Sequence, residues 1–266
     1  MGAEYIFDSA SDHGREQVRC LSSLYDGDTK TVLENAGVFA GDTCLEIGAG
    51  NGSIAAELAV SVGSRGSVVA ADLDVGGVAT SDSVTVLRHD INDGVPAGGP
   101  YDVIHARLVL MHLARRDELL TMLRGALAPG GRLVIGDFGE HLPYAVEAPS
   151  EGDATLFERV IRLATTILAP KVGMSLSWAE RLPEAMSDVG LTDVQTCRIA
   201  RACDGGSDGC NLLRSYVLQL LEPLQAVGVS REEIARFEAL MSDQHMRVGL
   251  YEMIYAWGRN PHGGLA

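Results

Sequence analysis

Apolar residues along this chain fall into short blocks at 43–48, 67–72, 84–88, 101–106 and 132–138, and most are separated by segments with helical spacing or by polar turns. Blocks of this length, rich in Val, Ile and Leu, predict strands. Helices near 52–62 and 116–127 between them predict an α/β fold, a parallel sheet with helices on both faces. In the second helix Leu119, Leu120, Leu123 and Leu127 recur at helical spacing while Arg116, Glu118 and Arg124 face away, and Pro129-Gly130-Gly131 ends it. Two helices are predicted before the first strand, near Glu16–Tyr25 and Thr29–Ala36, stopped by Gly37. Between the second and third strands, Val75 to Ser83 is glycine-bearing and weakly helical, which predicts a loop or one helical turn. After the fifth strand an amphipathic helix, Thr155–Leu168, lies within an insertion of about 139–177, and a helical stretch at 210–246 separates predicted strands 192–201 and 250–257. The domain organisation read from this is an N-terminal helical extension over 1–40, placed as a lid, and one domain over 41–266. That domain carries insertions at about 139–177 and 203–248. Long insertions on a minimal scaffold usually carry function, so these are assigned to the substrate side.

The first strand supplies the candidate chemistry. Cys44-Leu-Glu-Ile runs into Gly48, Gly50 and Gly52 and then into the helix beginning near Ile54, which makes a tight turn where backbone can approach a ligand closely. Asp72, at the end of the next apolar block, stands where a ribose hydroxyl would be gripped. A dinucleotide fingerprint would carry a third small residue at the position of Ser53, with its glycines spaced G-x-G-x-x-G/A. Here the spacing is compressed, and Glu46 would repel a pyrophosphate while suiting a ligand with ammonium and sulfonium charges.

From Thr43 to about Asp137 the chain resembles the class I S-adenosylmethionine-dependent methyltransferases. L-E-I-G-A-G-N-G matches the glycine motif, V-V-A-A-D the ribose-acid strand, R-H-D-I the adenine segment, Y-D-V-I-H-A-R-L-V-L-M-H-L strand four and L-A-P-G-G-R-L-V-I strand five. Taken with Y-I-F-D near the start and a terminal A-W-G-R, these also resemble bacterial small-molecule methyltransferases of secondary metabolism. The resemblance implies a Rossmann-like sheet, S-adenosylmethionine as cofactor with S-adenosylhomocysteine as product, and methyl transfer to a heteroatom or activated carbon. It implies cofactor contacts from Glu46, Gly48, Ala49, Gly50, Gly52, Ser53, Asp72, Leu73, Asp90, Ile91, Ala106 and Arg107. Asp90 would accept from the adenine amino group and Ile91 would offer its backbone N–H. Asp74 competes with Asp72 for the ribose, and the strand-end position favours Asp72.

Charge narrows the partner. A formal net charge of −15, with 36 acids against 21 bases, lacks the basic face that displaces counterions from a phosphate backbone, so nucleic acid is excluded and a small-molecule acceptor favoured. Strand four also lacks the N/D-P-P-Y/F turn of base-amine methyltransferases, reading His105-Ala-Arg-Leu108 instead. No uninterrupted apolar run reaches the ~18 residues of a membrane span, and the N-terminus lacks a basic leader, so no membrane partner and a cytoplasmic location are expected. Five scattered cysteines, with no C-x-x-C, indicate neither zinc nor a disulfide scaffold.

An oxygen or nitrogen nucleophile often needs a base of near-neutral pKa. His141, just past strand five, is the preferred candidate, with His112 read as structural and His105 as buried. Tyr5, Phe7, Tyr144 and Trp178 are candidate substrate contacts. Asp137 alone makes no metal site, and none is expected. Two other readings remain at this stage: a non-catalytic S-adenosylmethionine-binding regulator and, disfavoured by Ser53 and Glu46, an NAD(P)-dependent oxidoreductase. Acceptor identity, the atom methylated and oligomeric state are not legible.

Overall fold

A computed structural model describes residues 11–261. In chain order its helices are α1 (Asp12–Ala36), α2 (Ser53–Val62), α3 (Arg116–Ala126), α4 (Glu151–Arg162), α5 (Ser177–Asp188), α6 (Asp208–Gln219), α7 (Leu221–Ala226) and α8 (Arg231–Leu240). Its strands are β1 (Thr43–Ile47), β2 (Ser67–Asp72), β3 (Val84–Arg88), β4 (Tyr101–Arg107), β5 (Leu127–Phe138), β6 (Tyr144–Glu147), β7 (Thr192–Ile199), β8 (Ala202–Asp204), β9 (Arg247–Gly249) and β10 (Met253–Arg259). The chain divides into two compact units.

One unit, Tyr25–Phe138 with Leu176–Arg198 and the chain from Ile254, holds a seven-stranded sheet in the order β3-β2-β1-β4-β5-β10-β7. The pairs among β1 to β5 are parallel. Strands in such a sheet are buried on both faces and read as continuous apolar runs. Leu133, Val134 and Ile135 of β5 accordingly have no exposed surface. Register puts Glu46, Ala70, His105 and Val134 in one row across four strands. Leu119, Leu120 and Leu123 bury the apolar side of α3, whereas Leu127 begins β5 instead of extending the helix. Leu123 has no exposed surface, so Leu123→Ala should cost about 2–5 kcal/mol, read as a lower denaturant midpoint.

The other unit gathers the residues up to Leu24, Gly139–Ser175 and Ile199–Met253. This unit carries a three-stranded antiparallel sheet, β6-β9-β8. Phe157 of α4 stacks on Phe237 of α8 with centroids 5.6 Å apart, and Arg236 donates to both oxygens of Asp153 at 2.7 and 2.8 Å.

Three expectations need correction. The two N-terminal helices are one, because Gly27 costs only ~1 kcal/mol inside a helix and the residues on either side are anchored: Arg19 to Asp208 at 2.8 Å and Lys30 to Glu57 at 3.0 Å. The helix predicted over Thr155–Leu168 starts at Glu151 and turns π-helical over Leu163–Leu168. The strand predicted from residue 250 starts at Met253, after the separate β9.

Candidate cofactor site

The three glycines after β1 all take positive φ, 72° at Gly48, 56° at Gly50 and 79° at Gly52, a region L side chains resist. The turn is fastened to β2: the Gly48 and Ala49 amides donate to the Ala71 carbonyl at 2.9 and 3.2 Å, and the Gly50 amide donates to Asp72 Oδ2 at 2.7 Å. Asp72 Oδ1 accepts from the Asp74 amide at 3.0 Å. Asp74 itself accepts from the Gly76 amide at 3.0 Å, which makes it a loop-closing residue. The glycine turn and the strand-end acid are therefore one hydrogen-bonded unit. A Cβ on Gly48 would stand 2.3 Å from Val109 Cγ2, and one on Gly52 would stand 2.9 Å from Val78 Cγ1. Ser53 opens α2, with its amide donating to Asn51 Oδ1 at 3.2 Å.

Asp90 caps a 3-10 turn, Ile91–Asp93, its Oδ1 accepting from both the Asn92 amide and side-chain nitrogen at 2.9 Å. Ile91 is buried, whereas Leu73 is 49% exposed beside Asp72. In place of a helix between β2 and β3, Val78 packs against the glycine turn. Carboxylates thus end β2 and follow β3, while no lysine or arginine lies between Arg65 and Arg88. A ligand presenting hydroxyls and positive charge suits this; a pyrophosphate does not.

Glu46 is 2% exposed, and its Oε2 lies 2.6 Å from His105 Nδ1. His105 has no exposed surface and its Nε2 has no partner. Ala106 is fully buried. Arg107 reaches back to α1, donating to Thr29 Oγ1 at 2.8 Å and pairing with Asp26 at 2.9 Å, while Thr29 shares a 2.7 Å hydrogen bond with the Tyr255 hydroxyl. This network, which gave no signal in the sequence, ties α1, β4 and β10 together.

The profile of the methyltransferase-domain family matches residues 23–196. The chain belongs to the methyltransferase-domain family. It is 29% identical over 121 residues to the ubiquinone/menaquinone biosynthesis C-methyltransferase UbiE of Pseudomonas putida, a match covering 41% of this chain and 46% of that protein. The chain thus spans about half the length of that curated relative. Among solved structures, a cyclopropane-fatty-acyl-phospholipid synthase-like protein from Lactobacillus casei superposes with a TM-score of 0.58 at 17% identity, covering 96% of this chain and 97% of that one. Haemonchus contortus phosphoethanolamine N-methyltransferase 2, solved with phosphomonomethylethanolamine and S-adenosylhomocysteine, gives 0.57 at 17% identity, covering 95% of this chain and 59% of that one. The fold is the Rossmann-like class I methyltransferase fold.

Within this methyltransferase the other singled-out residues scatter. Trp178 is 1% exposed in α5. The expectation of a substrate contact there is corrected, since a buried indole offers an acceptor no surface. Tyr144 is 55% exposed on β6, its ring where a Cβ on Gly249 would stand. His141 is 80% exposed at its side chain, with Nδ1 3.9 Å from Glu252 Oε2. Tyr5 and Phe7 lie outside the described residues. Burial, then Arg116, pushes the His112 imidazole down to about 4, so it is neutral at physiological pH.

Asp137, which alone makes no metal site, has a distinct environment. In the structure it has no exposed surface. Burial pushes its carboxyl up to about 8; the Met111 amide, the Trp178 indole N–H, the Val109 amide and Arg116 act the other way without overcoming it. The folded chain therefore keeps a proton that the unfolded chain releases near pH 4. Stability from this group is full below that value and drains as pH rises to about 8. Denaturant unfolding of the wild type should lose about 1.4 kcal/mol per pH unit more than Asp137→Asn across that interval.

Proposed function

We propose that this methyltransferase transfers the methyl group of S-adenosylmethionine to a heteroatom or activated carbon of a small-molecule acceptor, by in-line displacement. The observation that carries this reading is the 2.7 Å bond from the Gly50 amide to Asp72, which makes a close-approach backbone turn and a hydroxyl-binding carboxylate parts of one site. Bound there, S-adenosylmethionine supplies an electrophilic methyl on a sulfonium. Asp72 is assigned to the ribose hydroxyls, and Gly48, Ala49, Gly50, Gly52 and Ser53 to close backbone contact. Leu73, Asp90 and Ile91 are assigned to the adenine, and the backbone of Ala106 and Arg107 to the methionine end. Glu46 is assigned to the positive charge of the cofactor, its carboxylate held by His105.

Most of the acceleration then comes from holding two reactants in line in a water-poor site. His141 is assigned as the base for acceptors that must lose a proton, a role worth about 10²–10⁴-fold. Small-molecule methylation is supported by the net charge of −15 and by the names of two similar proteins, a quinone-biosynthesis C-methyltransferase and a phosphoethanolamine N-methyltransferase. A metabolite extract incubated with the protein and methyl-labelled S-adenosylmethionine should take up label in its small-molecule fraction. Label confined to nucleic acid or protein would overturn the acceptor class.

A further inference from the structure

The turn that follows β4 touches both the glycine loop and the buried carboxyl. Leu108 takes a left-handed conformation, φ 57°, uncommon for a residue with a Cβ, and its amide donates to the Gly136 carbonyl at 2.7 Å. A 3-10 turn, Leu110–His112, follows directly, closed by the His112 amide donating to the Val109 carbonyl at 3.0 Å. On one side of this turn the Val109 side chain fills the space that a Cβ on Gly48 would need. On the other side the Val109 and Met111 amides act on the Asp137 carboxyl. Asp137 adjoins Gly136, so both supports of the turn come from the end of β5.

We propose that Asp137 is a positioning residue for cofactor binding: through the 108–112 turn, its protonation state sets how Val109 sits against Gly48. This rests on the reading of the glycine loop as the S-adenosylmethionine site. The neutral acid is compatible with the observed packing, since it places no charge in the interior. Its ionised form is a fully buried carboxylate, which is costly unless N–H groups or water move closer to it. The nearest donors are the Val109 and Met111 amides and the Trp178 indole N–H. Swinging the amides toward β5, or admitting water between them and the carboxylate, displaces Val109 from Gly48. Among the described residues, the charged and titratable groups acting at this place are Arg116 from α3, itself flanked by Asp117 and Arg181, and His112 from the turn. Trp178 is the contribution of α5 and carries no charge. His112 stays neutral throughout the relevant range, so it does not compete for the effect.

The test is calorimetric titration of the full chain and of Asp137→Asn with S-adenosylhomocysteine at a series of pH values from about 6 to about 9.5. The wild-type dissociation constant should rise about threefold or more across the ionisation of Asp137, while that of Asp137→Asn stays level. Parallel profiles, or a level wild type, would overturn the proposal while leaving the cofactor assignment intact. Failure of the wild type to bind at any pH would remove the cofactor assignment and the proposal with it. Hydrogen exchange on the wild type gives a second readout that does not depend on the variant folding. Protection of the Val109 and Met111 amides should change over the same interval relative to Leu123 in α3, and unchanged protection counts against the proposal.

Discussion

Gly48→Val abolishes S-adenosylmethionine binding. Two physical effects add at this position. A β-branched residue is forced to φ 72°, where L side chains are strained, and its Cβ would stand 2.3 Å from Val109 Cγ2, a separation no packing tolerates. Relief requires either the glycine turn or the turn after β4 to move, and both adjoin the proposed cofactor site. A loss of more than about tenfold in affinity follows if the rearrangement costs only ~1.4 kcal/mol. Gly50→Val should act in the same direction, because φ is 56° there and the Gly50 amide must keep its bond to Asp72. Circular dichroism separates this result from unfolding. A folded Gly48→Val protein with wild-type affinity would remove the loop from the site.

Asp72→Ala weakens S-adenosylmethionine binding by about 1–3 kcal/mol through loss of charge-assisted hydrogen bonds to ribose. The structure adds a second contribution in the same direction, because Asp72 also accepts from the Gly50 and Asp74 amides. Removing it frees the glycine turn as well as the ribose. Asp74→Ala is the matching control: its carboxylate closes a local loop on the Gly76 amide, so its effect on affinity should be small. Equal losses in the two variants would reassign the ribose contact.

Legibility of the fold tracked burial. The strands read from sequence at 67–72 and 84–88 coincide with β2 and β3, and the helix at 116–127 differs from α3 by one residue at its end, since these elements carry long periodic or continuous apolar signals. The strands β6, β8 and β9 were invisible, being three or four residues long and unable to show alternation. The helices read near Glu16–Tyr25 and Thr29–Ala36 are one, because the continuity of α1 across residues 26–28 is held by packing that leaves no local signal. At the candidate site, glycines and strand-end acids were legible because backbone geometry demands those residue types. Two other groups were not. Glu46 reads as a ligand acid in sequence, yet its partner His105 lies 59 residues away and meets it only through the pairing of β1 with β4. Asp137 looked solitary because what sets its chemistry is burial beside Trp178 and the 108–112 turn, and none of that has a local sequence signature.

The central claim is that the glycine turn and Asp72 form an S-adenosylmethionine site, and the most direct test is calorimetric titration of the purified chain with S-adenosylmethionine, S-adenosylhomocysteine and reduced nicotinamide dinucleotide. One-to-one binding of the first two, weakened in Asp72→Ala, with no measurable binding of the dinucleotide, is the predicted result. Preferential binding of the dinucleotide, or S-adenosylmethionine binding that Asp72→Ala leaves unchanged, would contradict it.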